Sequence, residues 1–100
     1  MHVIWLKMLR DFCRVHPTAE SVLRPWHTIV EHTDFKDFDH IKEFFNSADY
    51  VPPYVVFDVA GNNYRVVVVA RYRVKRIYVR EVMTHAEYDK WCKLYRKGRA

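Results

Sequence analysis

Two side chains that can exchange protons, His85 and Tyr88, stand at the start of a predicted helix, directly after the most basic part of the chain. Thr84 and Glu87 have the spacing of a capping box, which predicts that the helix begins here. His85 and Tyr88 then share one side of its first turn. The positive end of the helix dipole favours a phosphate there, and imidazole exchanges protons near neutral pH. The spacing indicates acid–base chemistry on a phosphate, although it also fits an ordinary helix cap with a surface histidine.

The positive charge of the chain is concentrated in its second half. Residues 1–50 have a net charge of −2 and residues 51–100 a net charge of +7, and residues 64–80 include six basic residues and no acidic one. Side chains alternate along strands, so arginines should gather on one sheet face around a tyrosine, with Glu81 on the opposite face. Arginine binds phosphate bidentately and tyrosine stacks on bases, which favours nucleic acid; the alternative is a solvated sheet face. The predicted RNA-binding residues are Arg71, Arg73, Arg76, Tyr78, Arg80 and, on the last helix, Lys90.

The elements that must position these groups follow from hydrophobic periodicity. The predicted elements are a strand at 2–5, helices at 6–16, 17–30 and 39–45, strands at 54–59, 64–72 and 76–83, and a helix at 84–96. Pro25 should kink or divide the second helix, and Asp39 should cap the third. The valine run at 66–69 predicts a central strand, and Trp5 is expected in the core with the other tryptophans. This order predicts a single α+β domain over residues 1–100.

Several classes of function are disfavoured by what the sequence lacks. No apolar run approaches the length of a membrane span, and the N-terminal segment is too soon interrupted by charge to be a signal peptide, so we expect a cytoplasmic protein. Cys13 and Cys92 are expected to be free thiols. His27, His32 and His40 lack metal-ligand spacing, so no metal or cofactor is predicted.

Several segments resemble the HigB family of toxins, which are RelE-like. The resemblance covers the chain to about Lys90 and is carried by residues 1–4 (MHVI), 16–20 (HPTAE), 62–67 (NNYRVV), 78–80 (YVR) and 84–90 (THAEYDK). It implies a small α+β ribonuclease that enters the ribosomal A site and cuts mRNA as an mRNA interferase. It also implies a HigA-type helix-turn-helix antitoxin, which neutralises the toxin and alone binds operator DNA. The chemistry would be metal-independent, with the RNA 2′-OH as nucleophile.

The resemblance also assigns roles to matched residues. Arg65 matches the arginine that RelE-like toxins use on the scissile phosphate, and His85 and Tyr88 fall at the acid–base positions. Antiparallel neighbours would bring the start of Arg65's strand beside the end of the next strand, and so beside the last helix. Backbone N–H groups of residues 85–87 are expected to join Arg65 on the phosphate. His85 is the expected base, and Tyr88 the acid or a phosphate-orienting group.

The chain departs from the family pattern at a few positions. Met83 replaces a usual glycine, and Ala60 and Asn63 replace a common glycine and lysine of the hairpin, which puts one phosphate contact in doubt. Two alternatives to an enzyme therefore stay open. One is a non-catalytic RNA- or ribosome-binding module, and the other is a protein-interaction domain whose basic face docks an acidic antitoxin segment.

Overall fold

The computed structural model describes residues 1–59, 61 and 63–100, and these form one mixed sheet with helices on both faces. The elements are β1 (His2–Ile4), α1 (Leu6–Val15), a 3-10 turn (Pro17–Ala19), α2 (Glu20–Glu31), α3 (Phe38–Phe44), β2 (Asp49–Val51), β3 (Tyr54–Val59), β4 (Tyr64–Arg71), β5 (Arg76–Thr84) and α4 (His85–Arg96). The predicted α+β class is confirmed. The prediction lacked β2, because three residues are too short to show a period.

The sheet has the strand order β1-β5-β4-β3-β2. β4 pairs antiparallel with β3 and β5, and its residues 66–68 are fully buried, so the central position predicted from the valine run is confirmed. β1 pairs in parallel with β5 at one edge. A cis peptide joins Pro52 to Pro53 between β2 and β3. The connection between β3 and β4 lies partly outside the described residues, and Gly61 within it has a positive φ of 55°.

The first three helices pack their apolar stripes on one face of the sheet. Leu9, Trp26 and Ile41 are buried there, and the Trp26 ring meets Phe57 of β3 edge-on, with 5.3 Å between ring centroids. Fully burying a side chain such as Leu9 or Ile41 contributes about 1.5–3 kcal/mol. This apolar burial holds α2 together through Pro25, so the predicted division of that helix does not occur.

The N-cap of α3 differs from the prediction. Asp37, not Asp39, is the N-cap, and its carboxylate accepts a hydrogen bond of 2.8 Å from the backbone N–H of His40. Asp37 has the extended backbone that a cap requires, whereas Asp39 is already within the first helical turn. None of the helices in the described residues is long and apolar enough to cross a bilayer.

The last helix, α4, covers part of the opposite face of the sheet. Tyr88, Trp91 and Tyr95 stack in a column along it, with interplanar angles of 16° and 18°. Trp91 is buried against Val67 and its neighbours, and the Tyr95 hydroxyl donates a 2.6 Å hydrogen bond to the Pro52 carbonyl. These contacts fix α4 on the sheet through one apolar stripe of the helix.

An irregularity in the β4–β5 pairing changes which side chains share the α4 face. The register shifts between Val67 and Val68, so Glu81 pairs with Val67 while Val79 pairs with Val68. The extra residue of this bulge is Arg80, and Arg80 and Glu81 are both exposed and line the same groove beside Trp91. The prediction that Glu81 lies on the opposite face from Arg80 is therefore wrong, because a bulge breaks the two-residue alternation.

Candidate active site

The β4–β5 pairing brings Arg65, His85 and Tyr88 to one end of the sheet. Arg65 is the second residue of β4 and lies opposite Met83, near the end of β5. The capping box then begins α4 at once: the Thr84 hydroxyl accepts from the N–H of Glu87, and the Glu87 carboxylate accepts from the N–H of Thr84. His85 and Tyr88 therefore occupy the first turn directly beside Arg65.

Arg65 is the centre of this cluster and is only 5% exposed. Its Nε lies 2.5 Å from Oδ1 of Asp58, its cross-strand partner on β3. One terminal nitrogen, Nη2, lies 3.2 Å from Nδ1 of His85, and its Cζ lies 5.2 Å from the ring centroid of Tyr88. The guanidinium thus has one side on a carboxylate and the other towards the two candidate acid–base groups.

Asp58 was missed by the sequence analysis, although a signal was available. It is the only acidic residue between residues 51 and 80. Asp58 and Arg65 lie symmetrically about residues 60–63, which separate the two predicted strands, and residues placed in this way pair across a hairpin. The two residues are therefore expected to form an ion pair across the hairpin.

The contact with Arg65 defines the proton arrangement of His85. A guanidinium has only donors, so Nδ1 of His85 accepts from Arg65 and carries no proton in this arrangement. The proton of a neutral ring is then on Nε2, which lies 3.7 Å from Oδ2 of Asp89, four residues further along α4. His85 is more than half exposed. Its accepting nitrogen faces the arginine, and its other nitrogen faces a carboxylate.

Tyr88 is suited to donate a proton, whereas Nδ1 of His85 is an acceptor. Burial raises the pKa of its phenol well above the usual range, and a hydrogen bond to Cys92 and the negative field of Asp49 raise it further. Arg65 opposes these effects by lowering the pKa, but burial outweighs it. The phenol therefore keeps its proton at neutral pH and acts as a hydrogen-bond donor.

The backbone amides at the start of α4 do not form the predicted phosphate cradle. The N–H of His85 donates to the Asn63 carbonyl at 3.1 Å, and the N–H of Glu87 is taken by the Thr84 hydroxyl. The Glu87 carboxylate also lies at this terminus and would repel an anion. Two of the three amides expected on the phosphate are thus already bonded, one to the backbone of the β3–β4 connection and one to the capping box.

The predicted RNA-binding residues are distributed over the part of this face that α4 leaves open. Arg71 and Arg76 pair across β4 and β5, and Val69 and Tyr78 form the next pair on the same face of the sheet. Arg73 lies in the turn after β4, so strand alternation does not place it on this face as predicted. Lys90 is exposed on α4. Arg80 lies at the bulge and lines two grooves, one beside Trp91 and the other beside Trp5.

The exposure of Trp5 also differs from the prediction. It is 50% exposed, whereas Trp26 and Trp91 are buried as expected. Trp5 lies between β1 and α1 and contacts Tyr78 and Arg80 on the open part of the α4 face. Its position depends on how the N-terminal strand docks beside β5, which periodicity cannot reveal.

Another groove lies between α1 and α2 and has a volume of about 490 Å³. Its floor is apolar, with Leu9 and Leu23, and Arg10 and Arg24 lie at its rim. Burial raises the pKa of Cys13, which also lines it, so that thiol stays protonated. Arg65, by contrast, contacts both His85 and Tyr88, so we place the chemistry at the start of α4.

The α+β fold, with one mixed sheet and helices on both of its faces, is consistent with that of a RelE-like toxin. A family model described as "HigB_toxin, RelE-like toxic component of a toxin-antitoxin system" matches residues 19–91, and the chain belongs to this family. It is 35% identical over 103 residues to the mRNA interferase toxin HigB of Escherichia coli strain K12, with 99% of each chain covered. An mRNA interferase HigB of Escherichia coli O6:H1 is 30% identical over 102 residues, again with 99% of each chain covered.

Proposed function

We propose that the chain is an endoribonuclease toxin that cuts mRNA on the ribosome and thereby stops translation. Two lines support this: membership of the HigB family, and the name mRNA interferase carried by relatives that match over nearly the whole chain. The observation that carries the proposal is the contact of Arg65 with both His85 and Tyr88 at the edge of a basic face. This is a set of groups that phosphodiester cleavage requires.

The reaction uses the RNA 2′-OH as its nucleophile. Proton removal lets the 2′-oxygen attack the adjacent phosphorus, and the P–O5′ bond breaks as the 5′-oxygen takes up a proton. The products are a 2′,3′-cyclic phosphate and a free 5′-hydroxyl. The protein supplies a base, an acid and a cation for the dianionic phosphorane, and such acid–base groups contribute typically about 10²–10⁴-fold.

His85 is the proposed base, and Arg65 regulates its availability. While Nη2 of Arg65 donates to Nδ1 of His85, that nitrogen cannot accept another proton. An incoming phosphate offers Arg65 a stronger, charged acceptor and frees Nδ1 to take the 2′-OH proton. The imidazolium that forms then has the Asp89 carboxylate near Nε2, at 3.7 Å. Phosphate binding and activation of the base are thereby coupled through one guanidinium.

Arg65 and Tyr88 stabilise the charge that develops on the phosphorane. Asp58 fixes Arg65 from behind, so the guanidinium needs little reorganisation when the phosphate arrives. The Tyr88 phenol keeps its proton because its pKa is raised, and it donates either to a phosphate oxygen or to the departing 5′-oxygen. The scheme requires no metal, and the described residues contain no group of three or more histidine, cysteine or acidic side chains suited to one.

The partner that neutralises the toxin is proposed to be a HigA-type helix-turn-helix antitoxin, which would also carry the complex to operator DNA. Membership of a toxin–antitoxin family supports an antitoxin as such. A short helix-turn-helix reading frame next to this gene, whose product co-purifies with the toxin, is the expected finding. A toxin that co-purifies with no such protein would contradict this part of the proposal.

The catalytic roles can be tested by cleavage in a reconstituted translation reaction with saturating ribosomes. Arg65→Ala and His85→Ala should each slow mRNA cleavage by at least about 10²-fold, because one removes the phosphate-binding cation and the other the base. His85→Gln keeps an acceptor for Arg65 but not a base, and should be as slow as His85→Ala. The matched controls are Arg10→Ala and His32→Ala, which remove the same side chains from exposed positions in α1 and directly after α2.

The same assay separates an enzyme from a binding module. A 2′,3′-cyclic phosphate on the upstream fragment is expected, and naked mRNA should be cut far more slowly than ribosome-bound mRNA. Cleavage by His85→Ala at the wild-type rate would remove His85 from the mechanism. If the wild-type protein inhibited translation without cutting mRNA, the chain would instead act by binding alone.

A further inference from the structure

Trp5 has a backbone conformation that its side chain does not favour. Its φ and ψ are 69° and 44°, in the left-handed region, which a bulky residue rarely enters. It is also the N-cap of α1, where it makes no side-chain capping bond. Glycine, asparagine or aspartate would suit both requirements better. The local fold therefore gives no reason for a tryptophan, and such a mismatch points to a role in binding.

The side chain of Trp5 is presented to solvent on the basic face. It is 50% exposed, and its ring lies against that of Tyr78, with centroids 5.3 Å apart and planes tilted by 57°. The guanidinium of Arg80 lies 5.7 Å from the Trp5 ring centroid. Two aromatic rings and a cation thus form one accessible surface beside β5.

The groove around Trp5 is suited to a polyanion. It has a volume of about 230 Å³ and is lined by Trp5, Val69, Arg71, Tyr78 and Arg80. Arg71 and Arg76 pair directly across the strands, and two like charges in this position repel each other. In the described part of the chain no salt bridge neutralises Arg71, Arg76 or Arg80. Bound phosphates would relieve this repulsion.

We propose that Trp5 and Tyr78 form a stacking subsite for one nucleobase of single-stranded RNA, with Arg71 and Arg80 on the flanking phosphates. Aromatic stacking combined with a basic groove is how proteins hold single-stranded RNA. Tyr78 pairs with Val69, which lies four residues along β4 from Arg65, or about 13 Å at the rise of a strand. The subsite therefore holds a base away from the cleaved bond. It rests on the proposed function, because it positions the same RNA.

The subsite can be tested with a short 2′-O-methyl oligoribonucleotide, which resists cleavage, and with its abasic counterpart of equal charge. Trp5→Gly should bind the base-bearing oligonucleotide about tenfold or more weakly at low salt, within the range expected for loss of one stacked base. Trp5→Tyr should retain most of the affinity. On the abasic oligonucleotide, Trp5→Gly and wild type should bind equally, because only phosphate contacts remain.

Folding does not confound this comparison. Glycine adopts the backbone angles of residue 5 without strain, so Trp5→Gly should fold, and its melting curve verifies this. Tyr50→Ala is the matched aromatic control: Tyr50 is 58% exposed but pairs with Val55, whose side chain packs on the opposite face of the sheet. That variant should bind both oligonucleotides as wild type does.

Three results would overturn the subsite. They are equal affinity of Trp5→Gly and wild type, an equal loss on both oligonucleotides, and failure of the wild type to bind the base-bearing one at low salt. The catalytic proposal is judged separately, by cleavage. If Arg65→Ala blocks cleavage while Trp5→Gly binds normally, only the subsite fails. If Trp5→Gly loses base-dependent binding while Arg65→Ala cuts normally, only the catalytic assignment fails.

Discussion

Replacing Asp58 with alanine should destabilise the protein strongly, because this change removes the carboxylate of a largely buried ion pair. The Arg65 side chain is 7% exposed and that of Asp58 22%, and Nε and Oδ1 are 2.5 Å apart. Removing one partner of a fully buried pair costs about 3–5 kcal/mol, whereas exposed pairs contribute about 0.2–1 kcal/mol. Because Asp58 retains some contact with water, we expect a loss of about 2–3 kcal/mol in the free energy of unfolding.

The loss can be measured by urea and thermal unfolding followed by circular dichroism. For a domain of this size each 1 kcal/mol lowers Tm by roughly 4–8 °C, so Asp58→Ala should lower it by about 10–20 °C. The control is Asp11→Ala, which removes the carboxylate of an exposed pair with Arg14 at 3.5 Å and should change the free energy by under about 1 kcal/mol.

A double-mutant cycle isolates the interaction. Arg65→Met replaces the guanidinium by an apolar side chain, so removing Asp58 from that background should cost far less than removing it from the wild type. A coupling free energy of at least about 1.5 kcal/mol is expected. If Asp58→Ala and Arg65→Met are additive to within about 0.5 kcal/mol, Asp58 does not hold Arg65, and the reasoning on its fixed position is refuted.

Three further outcomes are expected. The pKa of Tyr88 is higher in the folded protein than in the unfolded chain. This group should therefore leave the free energy of unfolding unchanged below about pH 10 and lower it by up to about 1.4 kcal/mol per pH unit above that. In Tyr88→Phe, alkaline unfolding should lack this pH-dependent loss of stability. Thr84→Ala should cost about 1 kcal/mol in urea unfolding through loss of the capping box, and a cost near zero would mean that α4 does not depend on its cap. Arg71→Ala should reduce the salt slope of ribosome binding by about one unit, whereas Arg73→Ala, in the turn, should reduce it less; equal slopes for Arg71→Ala and wild type would make this face a solvated surface.

The start of the last helix and the central strand could be predicted from sequence because each depends on local chemistry. The capping box needs only Thr84 and Glu87 at the correct spacing, and it forms as predicted. The valine run at 66–69 requires burial on both faces, which only a central strand provides. Given antiparallel neighbours, the approach of Arg65 to the first turn of α4 followed as well. The chemical roles of these residues stay predictions.

Other features required the tertiary structure because they depend on contacts between distant segments. Strand alternation cannot place Arg80 and Glu81 together, since a bulge arises from how β4 and β5 pair. Hydrophobicity places Trp5 in the core, yet the docking of β1 beside β5 leaves it half exposed against Tyr78. Residue type alone thus indicated which groups are chemically suited to bind a phosphate or a base. The packing of the sheet decided which of them are buried, paired or open to a ligand, because burial is a property of the whole fold.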